Sequence, residues 1–159
     1  IEIENRIGVL DRKLRVINEN TINKHEWLVY ANIALKRTYG YEWQGDNLLL
    51  ARESILYTFI ENYEYKFSAL PSLDQIKEAS FVISWNFWQM DGLKGVVPNS
   101  CKIKKIKTQN LFSEETISHE LCGGCLSDDM FKHTGNYCKI MEWKQDENIE
   151  IRYIDSIQN

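Results

Sequence analysis

Four cysteines fall at Cys101-x20-Cys122-x2-Cys125-x12-Cys138 in a chain of 159 residues. This spacing constrains the fold more than any other feature, because thiolates that share an ion must converge whatever the chain between them does. Cys122-Gly-Gly-Cys125 reads as a knuckle, its glycines letting the backbone turn so that both sulfurs face one ion. Cys101 and Cys138 flank β-like sequence and complete a tetrahedron. Zinc held by four thiolates is a site of net charge about −2 with no open position, so it is structural rather than catalytic. The segment it staples is short of core material: residues 107–136 hold few large apolar groups beyond Leu111, Phe112, Ile117, Leu121, Leu126, Met130 and Phe131. Disulfides, a redox Cys-x-x-Cys pair and unligated thiols are the competing readings. Disulfides lack an accompanying secretion signal, and the redox pair lacks a clear strand–helix context. His119 and His133 stand as reserve ligands, each read by itself as an exposed histidine.

Upstream of the cysteines the pattern is helical. Ile7, Leu10, Leu14 and Ile17 form a stripe at helical spacing over 6–19. Asn23 caps a second helix, with Glu26 as the other half of a capping box, and Trp27, Tyr30, Ala31 and Ala34 make its apolar face. Lys36 and Arg37 suit its end, and Gly40 its stop. Tyr41–Gly45 reads as a strand or turn, and Asp46 as the N-cap of a long helix reaching about Phe67. That helix carries Leu48, Leu49, Arg52, Ile55, Leu56, Phe59, Ile60 and Tyr63 inward, so Arg52 requires a partner. Pro71 breaks the chain, Ser72 and Gln75 form another capping box, and Ile76, Ala79, Ile83, Phe87 and Met90 continue at helical spacing. The Trp85, Phe87 and Trp88 cluster reads as core, with an aromatic base-stacking surface as the alternative. Gly92, Gly95 and Pro98 end the segment. Tyr137–Lys144 and Asn148–Ile154 are β-rich runs joined as a hairpin. The expected organisation is a helical region over 1–98 and a Cys-rich, zinc-binding β region over 99–159, an α+β fold.

Charge narrows the partners. The net charge is −4 and the pI about 5.4, which argues against nonspecific phosphate-driven DNA binding. Lys102, Lys104, Lys105 and Lys107 nonetheless make a local basic run, a solvated strand or a contact for phosphate or an acidic protein. Glu114-Glu115 and Asp128-Asp129 read as solvated faces. Neither a Gly-rich phosphate loop nor a Gly-x-Ser-x-Gly elbow is present. No run of apolar residues is long enough for a membrane span. The chain opens on Ile1 without a signal-peptide pattern or an initiator Met, and so reads as trimmed or excised from something longer.

Four stretches carry a resemblance: Asn5–Asn20 (NRIGVLDRKLRVINEN), Tyr39–Phe59 (YGYEWQGDNLLLARESILYTF), Ile83–Cys101 (ISWNFWQMDGLKGVVPNSC) and Gly135–Trp143 (GNYCKIMEW). Together they resemble the C-terminal half of DNA methylase subunits of bacterial restriction–modification systems. The resemblance implies a segment binding S-adenosylmethionine upstream of Asn5, which this sequence lacks. It also implies an Asp/Asn-Pro-Pro-aromatic loop, or a Pro-Cys nucleophile for cytosine-C5 chemistry. The two prolines, Pro71 and Pro98, are not adjacent and neither precedes a cysteine, so no methyltransferase activity is expected. Without the upstream half, a doubly wound sheet is not expected either. Two functions follow as expectations. One is a catalytically silent zinc-binding module that binds DNA or a protein partner in restriction–modification. The other is a phage-encoded anti-restriction or anti-CRISPR inhibitor of a host nuclease. Both place the chain in the cytoplasm of a bacterial cell.

Overall fold

Helices begin where capping chemistry places them. The Ser72 hydroxyl accepts the Gln75 amide at 3.3 Å, and the Gln75 side chain accepts the Ser72 amide at 2.8 Å, a complete capping box. Asn23 Oδ1 accepts the Glu26 amide at 2.9 Å, while the Glu26 carboxylate reaches one residue further back, to the Ile22 amide at 3.1 Å. At the long helix the cap differs from expectation: Gln44 is the N-cap, and Asp46 lies in the first turn, where its charge faces the positive end of the helix dipole.

The computed structural model describes residues 1–108, 116–144 and 147–157, and the side chains of 104–120 are outside that description. Glu114-Glu115 therefore lies outside the described residues. After a single 3-10 turn, Ile3–Asn5, the order is α1 (Val9–Asn20), α2 (Lys24–Lys36), β1 (Gly40–Glu42), α3 (Gly45–Phe67), α4 (Leu73–Asn86) and β2 (Phe87–Gln89). The second part holds β3 (Lys104–Thr108), β4 (Thr116–Glu120), α5 (Gly123–Ser127), β5 (Lys139–Trp143), β6 (Asn148–Arg152) and α6 (Tyr153–Ser156). The fold is α+β. No helix among the described residues is long and apolar enough to cross a membrane.

The helical core is built on aromatic packing. Trp27 is fully buried, with its ring 5.5 Å from Phe59 and 5.3 Å from Tyr63. Leu10, Leu14, Ala31, Leu35, Val82 and Ile83 close around it. A polar string that sequence periodicity does not show runs through this core. The Trp27 indole N–H donates to Asn18 Oδ1 at 2.7 Å, Asn18 Nδ2 to Asn62 Oδ1 at 2.9 Å, and Asn62 Nδ2 to the Thr58 carbonyl at 2.8 Å. Each buried amide is thereby satisfied. The expected stripes are trimmed at their ends: Ile7 precedes α1 and is 82% exposed, and Leu49 and Tyr30 also face outward.

One expectation is overturned. The apolar run to Met90 does not stay helical; the chain leaves α4 after Asn86 and forms a strand. That strand pairs in parallel with β1, Gly40 against Phe87 and Glu42 against Gln89. A three-residue parallel pair needs a crossover, and α3 with α4 supplies it. The pairing also resolves Arg52, whose Nε donates to the Phe87 carbonyl at 3.1 Å and whose Nη2 reaches Phe87 and Ser84 carbonyls at 2.6 and 3.2 Å. The guanidinium thus closes the negative end of α4.

β3 and β4 pair antiparallel, Lys104 opposite Glu120 and Thr108 opposite Thr116. The expected C-terminal hairpin is β5 with β6, Lys139 opposite Arg152 and Trp143 opposite Asn148. It docks on the helices through Trp143, whose indole N–H donates to Asn86 Oδ1 at 2.8 Å, and through the Tyr39 hydroxyl, which donates to the Met141 carbonyl at 2.8 Å.

Candidate metal centre

Gly124 determines the shape of the cysteine loop. Cys122 is the N-cap of the short helix α5, which puts Cys125 one turn away on the same side. The returning segment passes close over Gly124, where an added Cβ would stand 2.7 Å from both the Asp129 carbonyl oxygen and the His133 amide nitrogen. Gly123 has no such neighbour, its nearest being the Lys132 carbonyl at 3.8 Å. Gly124→Ala should therefore weaken metal binding and lower the melting temperature, and Gly123→Ala should change either one little. Paired melting curves with metal content check the contrast.

Asp128 and Asp129, expected as a solvated acidic face, are the turn that brings the chain back. Asp128 takes the left-handed conformation at φ 52° after α5. Asp129 Oδ1 accepts the Phe131 amide at 3.0 Å, an Asx turn, and its other oxygen pairs with Lys132 at 2.8 Å. Tyr137 clamps the result: its hydroxyl oxygen accepts the His133 amide at 2.9 Å and its proton goes to the Met130 carbonyl at 3.1 Å. On the other side the 134–136 segment is laced to 97–102. The Asn136 amide donates to Ser100 Oγ at 2.9 Å, and the Val97 amide to the Asn136 carbonyl at 2.8 Å. This lacing brings Cys101 to the cluster.

The outcome is a group of four: Cys101, Cys122, Cys125 and His133, with ligand atoms all within 4.8 Å of one another. His133 Nδ1 lies 3.6 Å from Cys101 Sγ, 3.5 Å from Cys122 Sγ and 3.6 Å from Cys125 Sγ. One nitrogen equidistant from three sulfurs is the corner of a tetrahedron, and the Cys3His group can hold a metal ion.

Cys138, expected as the fourth ligand, is not in this group. Its amide donates to the Gly95 carbonyl at 3.0 Å, and its carbonyl accepts the Tyr153 amide at 2.9 Å. Those two bonds fix the backbone at the start of the hairpin, and the buried thiol donates instead to the Gln89 carbonyl at 3.4 Å. His133 stands where Cys138 was expected. The sequence signal for it was the Cys-x2-Cys-x7-His spacing combined with turn-forming Asp128-Asp129. Of the basic run, Lys102 is exposed and lies on a 330 Å³ cleft over Cys101, Cys122 and Cys125. Lys104, Lys105 and Lys107 belong to β3; their side chains, with that of His119 in β4, lie outside the described residues.

Electrostatics within the group are uneven. Burial alone pushes the Cys122 thiol up. The Thr134 amide, donating to its sulfur at 3.2 Å, the Cys125 amide and His133 outweigh that and lower it to about 5. Burial, followed by the neighbouring Cys125 and Cys122 sulfurs, pushes Cys101 up to about 11. Burial does the same to Cys138. The lowered Cys122 thiol thus stands beside a raised Cys101, whose ionisation its charge opposes. A divalent cation at the centre removes that opposition.

No protein-family model matches the chain, and neither a curated protein nor a solved structure matches it significantly.

Proposed function

We propose that the chain is a zinc-stapled, non-catalytic binding module of the restriction–modification type. The observation that carries the reading is the spacing around His133 Nδ1. A tetrahedral zinc ion with bonds of about 2.3 Å to sulfur and about 2.05 Å to nitrogen separates those atoms by about 3.6 Å. The three separations here are 3.5, 3.6 and 3.6 Å. Thiolates with an imidazole select zinc over magnesium or calcium, which take oxygen donors. Four protein ligands fill the shell, so the ion cross-links three segments and offers no position to a substrate.

The ion supplies what the described apolar residues around it do not. Leu121, Leu126 and Phe131, the apolar residues nearest the cluster in sequence, are each about half exposed or more and make no core of their own. The methylase resemblance supplies the context, binding DNA or a protein partner. The net charge of −4 favours a protein with a basic groove, of which a host nuclease is one.

Metal analysis should return about one zinc per chain, and a strong chelator should lower the melting temperature. A metal-free protein that melts unchanged, with all four thiols titratable, would sink the reading. Affinity for duplex DNA measured at two salt concentrations separates the partners. Steep salt dependence assigns DNA; absence of DNA binding assigns a protein.

A further inference from the structure

Between the β1–β2 pair and the C-terminal hairpin lies a cavity of about 580 Å³, lined by none of the four clustered Cys and His residues and within the range of small-molecule sites. Four aromatic side chains line it: Tyr39, Tyr41, Trp88 and Tyr153. Two carboxylates line it as well, Glu142 and Asp155, and no Lys, Arg or His among the described residues does.

The rings are held in place by the fold. The Tyr39 hydroxyl is tied to the Met141 carbonyl, and the Trp88 indole N–H to the Trp85 carbonyl. Tyr41 lies on Gly92, where a Cβ would come within 2.3 Å of its ring, and its centroid is 6.2 Å from that of Tyr153. Such preorganisation lowers the entropic cost of binding. Tyr39 is held above the ordinary tyrosine range, first by burial and then by the Glu142 charge. Each carboxylate has a cation outside the cavity, Lys144 at 3.1 Å from Glu142 and Arg152 at 2.8 Å from Asp155, with all four side chains between about two-fifths and just over half exposed. The single Lys144–Glu142 contact is of the weak kind that exchanges readily, whereas Arg152 grips Asp155 through two bonds, at 2.8 and 2.9 Å, so Glu142 is the carboxylate more available to a ligand.

We propose that this cavity binds a small organic ammonium ion, its alkyl groups against the aromatic faces and its charge compensated by Glu142 and Asp155. Electron-rich ring faces attract a poorly hydrated cation. A positive ligand can take up carboxylate charge that Lys144 and Arg152 otherwise hold from outside the cavity, and a neutral one of equal shape cannot. This site does not depend on the metal centre.

The test uses choline and its uncharged carbon isostere, in which a tert-butyl group replaces trimethylammonium. Binding is followed on the Trp88 indole N–H resonance in the metal-replete protein. Choline should give a saturable shift at least about tenfold tighter than the isostere. Tyr41→Leu and Glu142→Gln, both at partly exposed positions, should each weaken it several-fold with metal content and melting temperature unchanged. Equal affinity for the two compounds, no saturable shift, or an unaltered affinity in Tyr41→Leu would overturn the proposal. A shift seen only with a peptide bearing trimethyllysine would overturn it too, by assigning the cavity to a protein ligand.

Discussion

Cys122→Ser is expected to abolish stoichiometric metal binding and to unfold the segment from Cys122 to Asn136, while Cys138→Ser keeps about one ion per chain. The two cysteines are buried to similar degrees, 4% and 3% exposed, so burial alone predicts similar costs. Their partners differ. Cys122 Sγ lies 3.5 Å from His133 Nδ1 and accepts the Thr134 amide; among the described residues Cys138 Sγ hydrogen-bonds to the Gln89 carbonyl alone. Structural zinc contributes apparent binding free energy on the order of 10 kcal/mol, and in a segment without its own core that energy is folding energy. Cys138→Ser exchanges one buried donor for another and should cost about 1 kcal/mol. Metal content by mass spectrometry and exchange protection of the 122–136 amides decide the matter. Metal loss in Cys138→Ser, with retention in Cys122→Ser, would reverse the ligand assignment.

Asn86→Leu should destabilise the helical part by about 3 kcal/mol without touching the metal. Asn86 is 1% exposed and spends its whole amide group. Nδ2 donates to the Leu35, Lys36 and Thr38 carbonyls at 2.9, 3.2 and 3.1 Å, closing the end of α2. Oδ1 accepts the Trp143 indole N–H, which anchors the C-terminal hairpin. The amide can point only one way, since the surrounding carbonyls accept and the indole donates. Leucine has a similar volume but takes the donor from the Lys36 and Thr38 carbonyls and the acceptor from the indole N–H, the Leu35 carbonyl keeping the Thr38 amide, and unmet buried groups cost more than a made bond contributes. Asn86→Asp restores the acceptor, sets a charge against three carbonyls and should be no better. A denaturation midpoint unchanged in both variants would show that this hub is dispensable.

Local chemistry was legible. Ser72 with Gln75, and Asn23 with Glu26, announced helix starts because a cap is satisfied within one turn of itself. The hairpin of β5 and β6 was legible from its β-rich runs. The shift after Pro98 from periodic to Cys-rich sequence marked where apolar packing gives out. Where periodicity ran through a boundary it misled. Phe87 and Met90 continue the α4 spacing, yet the chain there is extended, because parallel pairing with Gly40–Glu42 satisfies the backbone and buries the Phe87 ring.

Sequence alone determined that some ion-binding or thiol chemistry sits after residue 98, that the first part is helical, and that Arg52 must find a partner. Tertiary structure decided which partner, carbonyl oxygens at the end of α4, and which fourth group joins the three sulfurs, His133 in place of Cys138. Spacing counts residues, but a ligand is chosen by direction. The Cys138 backbone is pinned by Gly95 and Tyr153, its side chain pointing to Gln89, while the Asp128-Asp129 turn and the Tyr137 clamp swing His133 onto the three sulfurs. The aromatic cavity has the same origin: its four rings come from segments over a hundred residues apart, and only the docking of the hairpin on β1 and β2 brings them together.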